Sequence, residues 1–197
     1  MQSARTQFRD NLRYARELGA IAAAVQSVTT LAIDFSDLLR AQIVLAVSAL
    51  DHFVHELSRL GMIEIAQGVR PQTAAYLRFE VPLTSALRGL PHDRWIGDVV
   101  RERHSWSSFQ EPDKIADAIR LISGVKLWEA VGQELGMTAQ DVKTQLRAVV
   151  DRRNKIAHEA DMDPANPGFR WPITPLLADG AVNSVERIGE AIFKVAV

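Results

Sequence analysis

Apolar and polar residues follow one another along most of this chain in steps of three and four, the repeat of an α-helix, rather than in the steps of two that mark a strand. Residues 4–26 set Phe8, Leu12, Ala15, Leu18 and Ala22 on one side and Arg5, Arg9, Arg13 and Arg16 on another, which predicts a helix with a solvated basic row. A loop over 29–36 follows, in which Asp34 or Ser36 can cap the next helix. That helix, over 36–60, is the most apolar long element, and Gly61 stands where it would end. Leu39, Ile43, Ala46, Leu50, Phe53, Val54, Leu57 and Leu60 make its broad apolar stripe. Ser48, Asp51, His55 and Ser58 recur on a second, polar stripe of the same helix.

The middle of the chain is more broken. Pro71, Pro82 and Pro91 punctuate residues 62–110, leaving room for short helices over 62–68 and 72–79. A further helix over 94–103 carries Trp95, Ile96, Val99 and Val100 on one side. Residues 105–110 read as a loop with two aromatics, Trp106 and Phe109, which either stack on bases or plug the core. Pro112 fits the first turn of a helix reaching about 122. Gly124 interrupts, and Val125, Leu127, Trp128, Val131 and Leu135 mark another helix that Gly136 ends. Thr138, with Asp141 three residues later, is a capping box that opens a long helix over 139–160. Pro164, Pro167, Gly168, Pro172 and Pro175 then forbid regular structure, and a last amphipathic helix covers 178–196. Without convincing strand pairs, this order predicts an all-α bundle built on two long helices, 36–60 and 139–160, antiparallel or crossing at its centre.

Length and composition narrow the reading. The 197 residues, 47% of them hydrophobic, suit a single domain over 1–197, with an N-terminal helix over 4–26 and a core over 36–197. Lysines and arginines number 23 against 24 acidic residues, so the net charge of -1 gives no sign of a broad nucleic-acid-binding surface, and any RNA contact must come from a local basic patch. The absence of cysteine rules out disulfides and thiolate metal sites. No apolar run reaches the length of a membrane span and no signal-peptide core is present, so a cytoplasmic protein without membrane attachment is expected.

The densest chemistry lies in the helix over 139–160, where Asp151, Arg152, Arg153, Asn154 and His158 crowd its last turns. At 3.6 residues per turn, Val142, Leu146, Val149, Arg153 and Ile156 share one face. Arg147, Asp151, Asn154, His158 and Asp161 share another, so Asn154 and His158 sit one turn apart and can act together. Arg153 is centred on the apolar stripe, where an unpaired charge is costly. Asp51, on the polar stripe of the other long helix, is the expected partner. A structural ion pair beside a surface histidine is the plainer alternative to a functional site.

Arg153-Asn154-Lys155-Ile156-Ala157-His158, an arginine followed by a polar residue and a histidine, resembles the motif of HEPN-domain ribonucleases. The run over 40–56, with Arg40, Asp51, His52, His55 and Glu56, is similar to the first core helix of the RiboL-PSP subgroup. So are Phe109-Gln110-Glu111-Pro112-Asp113-Lys114-Ile115 and the following Trp128, and the resemblance spans about residues 36–195. It implies an all-α endoribonuclease that needs neither metal nor cofactor, usually a homodimer whose motif helices meet in a composite site. Arg153 would hold the scissile phosphate, His158 would be general acid or base, and Asn154 would orient either. The RNA 2′-hydroxyl would attack, leaving a 2′,3′-cyclic phosphate and a 5′-hydroxyl. Asp51, His55 and Asp151 would support these groups.

Such proteins act as toxins or effectors in prokaryotic conflict systems, so an antitoxin protein is a possible partner beside the RNA substrate. Some members are non-catalytic and bind only a nucleotide or a partner protein, which is the alternative function. Asp51-His52-x-x-His55 offers a weak metal pattern, with His52 leaning to the apolar side. Glu159, Asp161 and Asp163 read as a solvated helix end, and Arg101, Arg103 and His104 as a possible basic rim.

Overall fold

The computed structural model describes residues 1–30, 33–87 and 91–197; of the loop expected over 29–36, residues 31 and 32 lie outside that set. Eight α-helices follow one another among the described residues: α1 Gln2–Val28, α2 Ser36–Ala66, α3 Leu83–Ala86, α4 His92–His104, α5 Pro112–Arg120, α6 Leu127–Leu135, α7 Ala139–His158 and α8 Pro175–Ala196. The architecture is an all-α bundle. Local chemistry sets most boundaries where the sequence pattern puts them. Thr138 accepts a hydrogen bond from the Asp141 N–H at 3.1 Å and opens α7. Gly136 closes α6 in the left-handed region, at φ 67°, a conformation that a side chain disfavours. Pro112 occupies the first turn of α5.

Three boundaries differ from expectation. Helix α2 does not stop at Gly61 but runs on to Ala66. The glycine instead permits close approach: a Cβ there would lie 2.6 Å from Ile122 Cγ2. The helix expected over 62–68 is therefore the end of α2, and the one over 72–79 is a single 3-10 turn, Tyr76–Arg78. Helix α8 starts one turn earlier than 178, because Thr174 accepts the Leu177 N–H and Pro175 fits the first turn.

Helix α2 is the axis of the molecule and packs against α1, α4, α5, α7 and α8. Its Ile43, Val47, Leu50, Val54 and Leu57 are buried. Phe53 stacks on Phe8 of α1, with ring centroids 4.7 Å apart, and Gly189 of α8 leaves the space that the Phe8 ring fills. The basic row of α1 is not simply solvated. Arg5 and Arg9 both reach Glu190, and Arg16 reaches Glu186 at 2.7 Å, so the row ties α1 to α8.

By length and by a mean hydropathy of 1.2 over its most apolar window, α2 could cross a membrane, contrary to the reading that no run is long enough. Here 56% of that window is buried inside the bundle. Helices α2 and α7 run antiparallel. Arg40, near the start of α2, shares a carboxylate with Arg152 near the end of α7, while Ile43 and Val149 one turn inward line one cleft.

Candidate functional site at the end of helix α7

Helix α7 spends Val142, Leu146, Val149 and Val150 on the core. Arg153 follows them on that stripe, as the spacing requires, and is half-buried with a fully enclosed Nε that has no hydrogen-bond partner. Its Nη1 donates to Asn154 Oδ1 at 2.9 Å. No described carboxylate pairs with it.

Asp51, the expected partner, is engaged elsewhere. Its Oδ1 accepts the Phe109 N–H at 2.6 Å and its Oδ2 accepts from Gln110 Nε2 at 3.1 Å. Eleven residues separate Asp51 from Arg40, about 16 Å along a helix. Because the two helices are antiparallel, that distance carries Asp51 away from Arg153 toward the start of α7, to the level of the loop before α5, which it fastens. His55 lies with it, Nε2 3.6 Å from Asp51 Oδ1 and the ring 4.5 Å from that of Phe109. The Asp51–Arg153 pair and the support of the α7 site by Asp51 are thus corrected.

Asn154 is half-buried and His158, the last residue of α7, is exposed. No described residue hydrogen-bonds the His158 imidazole. Asp151 is exposed and pairs with Lys155 at 2.9 Å, an ordinary i,i+4 pair on the helix surface. The structure therefore brings Arg153 and Asn154 into contact, leaves His158 open one turn further on, and separates Asp51 and His55 from all three.

The residues that hold this end of α7 in place are different ones. Asp161, with no exposed surface, accepts from Arg40 Nε at 2.7 Å and from Arg152 Nη2 at 2.9 Å on one oxygen. Both guanidinium groups also donate to the Trp171 carbonyl oxygen, at 3.0 and 3.3 Å, and Arg152 donates to that of Pro172 at 3.1 Å. Ala160 and Asp161 both have positive φ, 53° and 60°, which costs each non-glycine residue some stability. The chain turns sharply there, and Met162 bridges back to Arg170. The proline-rich loop is therefore partly regular, and Asp161 and Asp163 are buried rather than a solvated helix end.

Sequence reasoning named neither Arg40 nor Arg152 for this role, although Arg40 was findable. It continues the buried line Ile43, Val47, Leu50, Val54 at steps of three and four, the same signal that singled out Arg153.

A second histidine cluster lies between α2 and α4. His104 is buried against Phe109, Phe79 and His55, at ring distances of 5.0, 6.2 and 6.1 Å. Burial, with His55 and Arg103 close by, pulls its pKa down to about 4, so the imidazole is neutral at pH 7. His52 is exposed, not turned to the apolar side. Among the described residues no three histidine, aspartate or glutamate side chains converge as metal ligands.

What the arrangement at the end of α7 offers is one cation without a carboxylate, one amide touching it, and one accessible imidazole, on a frame held by buried ion pairs. The class so defined is an all-α bundle with a polar site at a helix terminus. Compared with family models, curated proteins and solved structures, the chain matches none of them.

Proposed function

We propose that this protein is an endoribonuclease that cuts RNA through attack of the 2′-hydroxyl, of the HEPN type that its motif resembles. The observation that carries the reading is Arg153. Its guanidinium sits on the apolar stripe with no carboxylate to neutralise it and bonds Asn154, the residue one turn before the open His158. A guanidinium has five N–H donors; with one spent on Asn154, donors and charge remain for a phosphodiester. Such a group stabilises the charge that grows on the phosphate oxygens in the transition state.

The reaction needs a base to take the proton of the 2′-hydroxyl and an acid to give one to the departing 5′-oxygen. The phosphorus–5′-oxygen bond breaks as the 2′-oxygen bond forms, yielding a 2′,3′-cyclic phosphate and a 5′-hydroxyl. One chain supplies one histidine at this site, so the reading includes a twofold dimer in which the partner's His158 takes the second role. An apolar cleft of about 520 Å³ between α7 and α8 supports such contact. Ile43, Val149 and Ile173 line it, and Leu176 and Leu177 stand exposed at its edge. By the same resemblance the protein would serve as a toxin or effector held by an antitoxin.

Labelled RNA incubated with the pure protein in EDTA is expected to be cut as fast as without it, and a substrate with hydrogen in place of the scissile 2′-hydroxyl is expected to survive. Equal cleavage of the deoxy substrate would refute the mechanism. Cleavage by a species that light scattering shows to be monomeric would refute the composite site.

A further inference from the structure

Helix α1 turns three distinct sides to its surroundings. Phe8, Leu12, Ala15 and Ala22 face the core, and Arg5, Arg9 and Arg16 face α8. On the side opposite that arginine row, Tyr14, Leu18, Ile21, Val25 and Val28 recur in steps of four and three. Tyr14, Ile21 and Val28 are 50%, 49% and 81% exposed, and Leu18 and Val25 are half-buried. Helix α2 lies alongside in the opposite direction, with Leu39 near Ala22 and Ala49 near Asn11. The two are so close that a Cβ on Gly19 would lie 2.7 Å from Gln42 Oε1. Helix α2 adds Leu38, Ala41 and Leu45 to the same side, with Leu45 exposed. The two stripes form one apolar face.

This face carries no charge. The sequence has no charged residue between Glu17 and Asp34, and none between Arg40 and Asp51. A helix that meets water normally sets its charges on the exposed side. The rim decides what can cover the face. Asp10 and Glu17 flank the α1 stripe, and Arg13 beside them is held by Glu17. Nucleic acid is bound by free cations, which this rim does not offer. Helices that lie on membranes border their apolar face with lysine and arginine, and here the border is acidic. The face fits another protein surface that is equally apolar.

The α1 stripe is its own complement. Two copies set antiparallel, with a twofold axis between Leu18 and Ile21, bring Leu18 against the partner's Ile21 and Tyr14 against the partner's Val25. That register gives four apolar layers over about 17 Å of helix. Glu17 falls opposite the partner's Ala24 rather than opposite another acid. Val28, the most exposed of the five, meets a groove of about 390 Å³ in the partner, which Asn11, Tyr14, Leu45 and Ser48 line. We propose that this face joins two copies of the chain, α1 against α1 across a twofold axis with α2 at its flank. The contact uses no residue of α7 or α8, so it is independent of the ribonuclease reading.

The test compares wild type with Ile21→Glu by size exclusion and light scattering at micromolar concentration. Half of the Ile21 side chain meets water in the single chain, so the substitution should leave helical circular dichroism and urea stability near wild type. In the pair the glutamate is buried twice without a counter-charge, and the dissociation constant should rise about a hundredfold or more. The mass should therefore halve: from tetramer to dimer if the contact proposed at α7 also forms, from dimer to monomer if it does not. A second readout introduces no charge. The chain has no cysteine, so Leu18→Cys and Ile21→Cys proteins, mixed and mildly oxidised, should form the cross-linked pair. Mixed Ala20→Cys and Ala23→Cys proteins, with the same spacing on another side of α1, should not.

Equal masses of wild type and folded Ile21→Glu, whether as monomers or as dimers through another face, overturn the proposal. So does cross-linking at 18 and 21 that is no faster than at 20 and 23, and this result decides alone if Ile21→Glu fails to fold. Binding of wild type to anionic vesicles, lost in Ile21→Glu and without self-association, also overturns it and makes the face a membrane contact. Whether the protein cuts RNA alters none of these outcomes.

Discussion

Arg152 and Arg153 are neighbours in sequence and differ in almost everything else. Arg152 shares the buried carboxylate of Asp161 with Arg40 and closes on the Trp171 and Pro172 carbonyl oxygens. Arg153 has an amide for company and an enclosed Nε with no partner. A cluster in which two cations meet one carboxylate and several carbonyl oxygens fixes geometry: it pins the turn after α7 to the start of α2. A cation left without a counter-charge does little for the fold, and in the proposed reaction it is the group that meets the phosphate. The contrast separates a polar residue that holds the fold from one that the proposed site would use, at adjacent positions of one helix.

The largest way to break this contrast is Asp161→Ala. It would leave the Arg40 and Arg152 guanidinium groups facing each other without the buried carboxylate they share, and a loss of about 3–5 kcal/mol of unfolding free energy is expected by urea titration. A loss below about 1 kcal/mol would mean that the cluster does not hold the turn. Next in size is the difference between the two neighbours. Arg152→Ala should cost about 2 kcal/mol or more, because a buried carboxylate loses one of its two cations. Arg153→Ala should cost about 1 kcal/mol or less, because no carboxylate depends on it. Equal losses would erase the distinction between the two arginines.

A smaller effect concerns His104, which contrasts with the open His158. Its folded-state pKa of about 4 lies below the ordinary 6.5, so above pH 6.5 the imidazole is neutral in both folded and unfolded chains. As pH falls from 6.5 toward 4, the unfolded chain takes up a proton that the folded one refuses, and stability drops. The loss is on the order of 2 kcal/mol, allowing for the solvent that reaches the cluster. In His104→Leu that part of the acid destabilisation between about pH 6.5 and 4 should be missing. If the two proteins lose stability in parallel, His104 is not buried as a neutral imidazole.

How much of this was legible in the sequence follows from range. Short-range signals were reliable: the Thr138–Asp141 cap, the left-handed Gly136, Pro112 at a first turn, and the stripe that carries Arg153 inward all act within a few residues. Gly61 misled because a glycine made necessary by a neighbouring side chain, here Ile122 just after α5, is indistinguishable, within its own helix, from one that ends it. Asp51 misled for a related reason. Periodicity shows which way a side chain faces, not how far along its partner helix it sits, and a shift of two or three turns moved it from Arg153 to the loop at Phe109. Periodicity set Asp161 on the polar face with Asn154 and His158, but the helix ends at His158 and the chain turns at Ala160 and Asp161, so its burial depended on Arg40, 121 positions earlier. The site residues were readable because they share one helix; the frame that positions them was not, because it is assembled from three separate segments.

The most direct measurement of the central claim is cleavage of labelled RNA by His158→Ala beside wild type, in EDTA, with helical circular dichroism and urea stability recorded on both. His158 is exposed and no described residue hydrogen-bonds its side chain, so its loss should change stability by no more than about 0.5 kcal/mol. Cleavage should be abolished. If a folded His158→Ala protein cuts RNA at the wild-type rate, the end of α7 is not the active site.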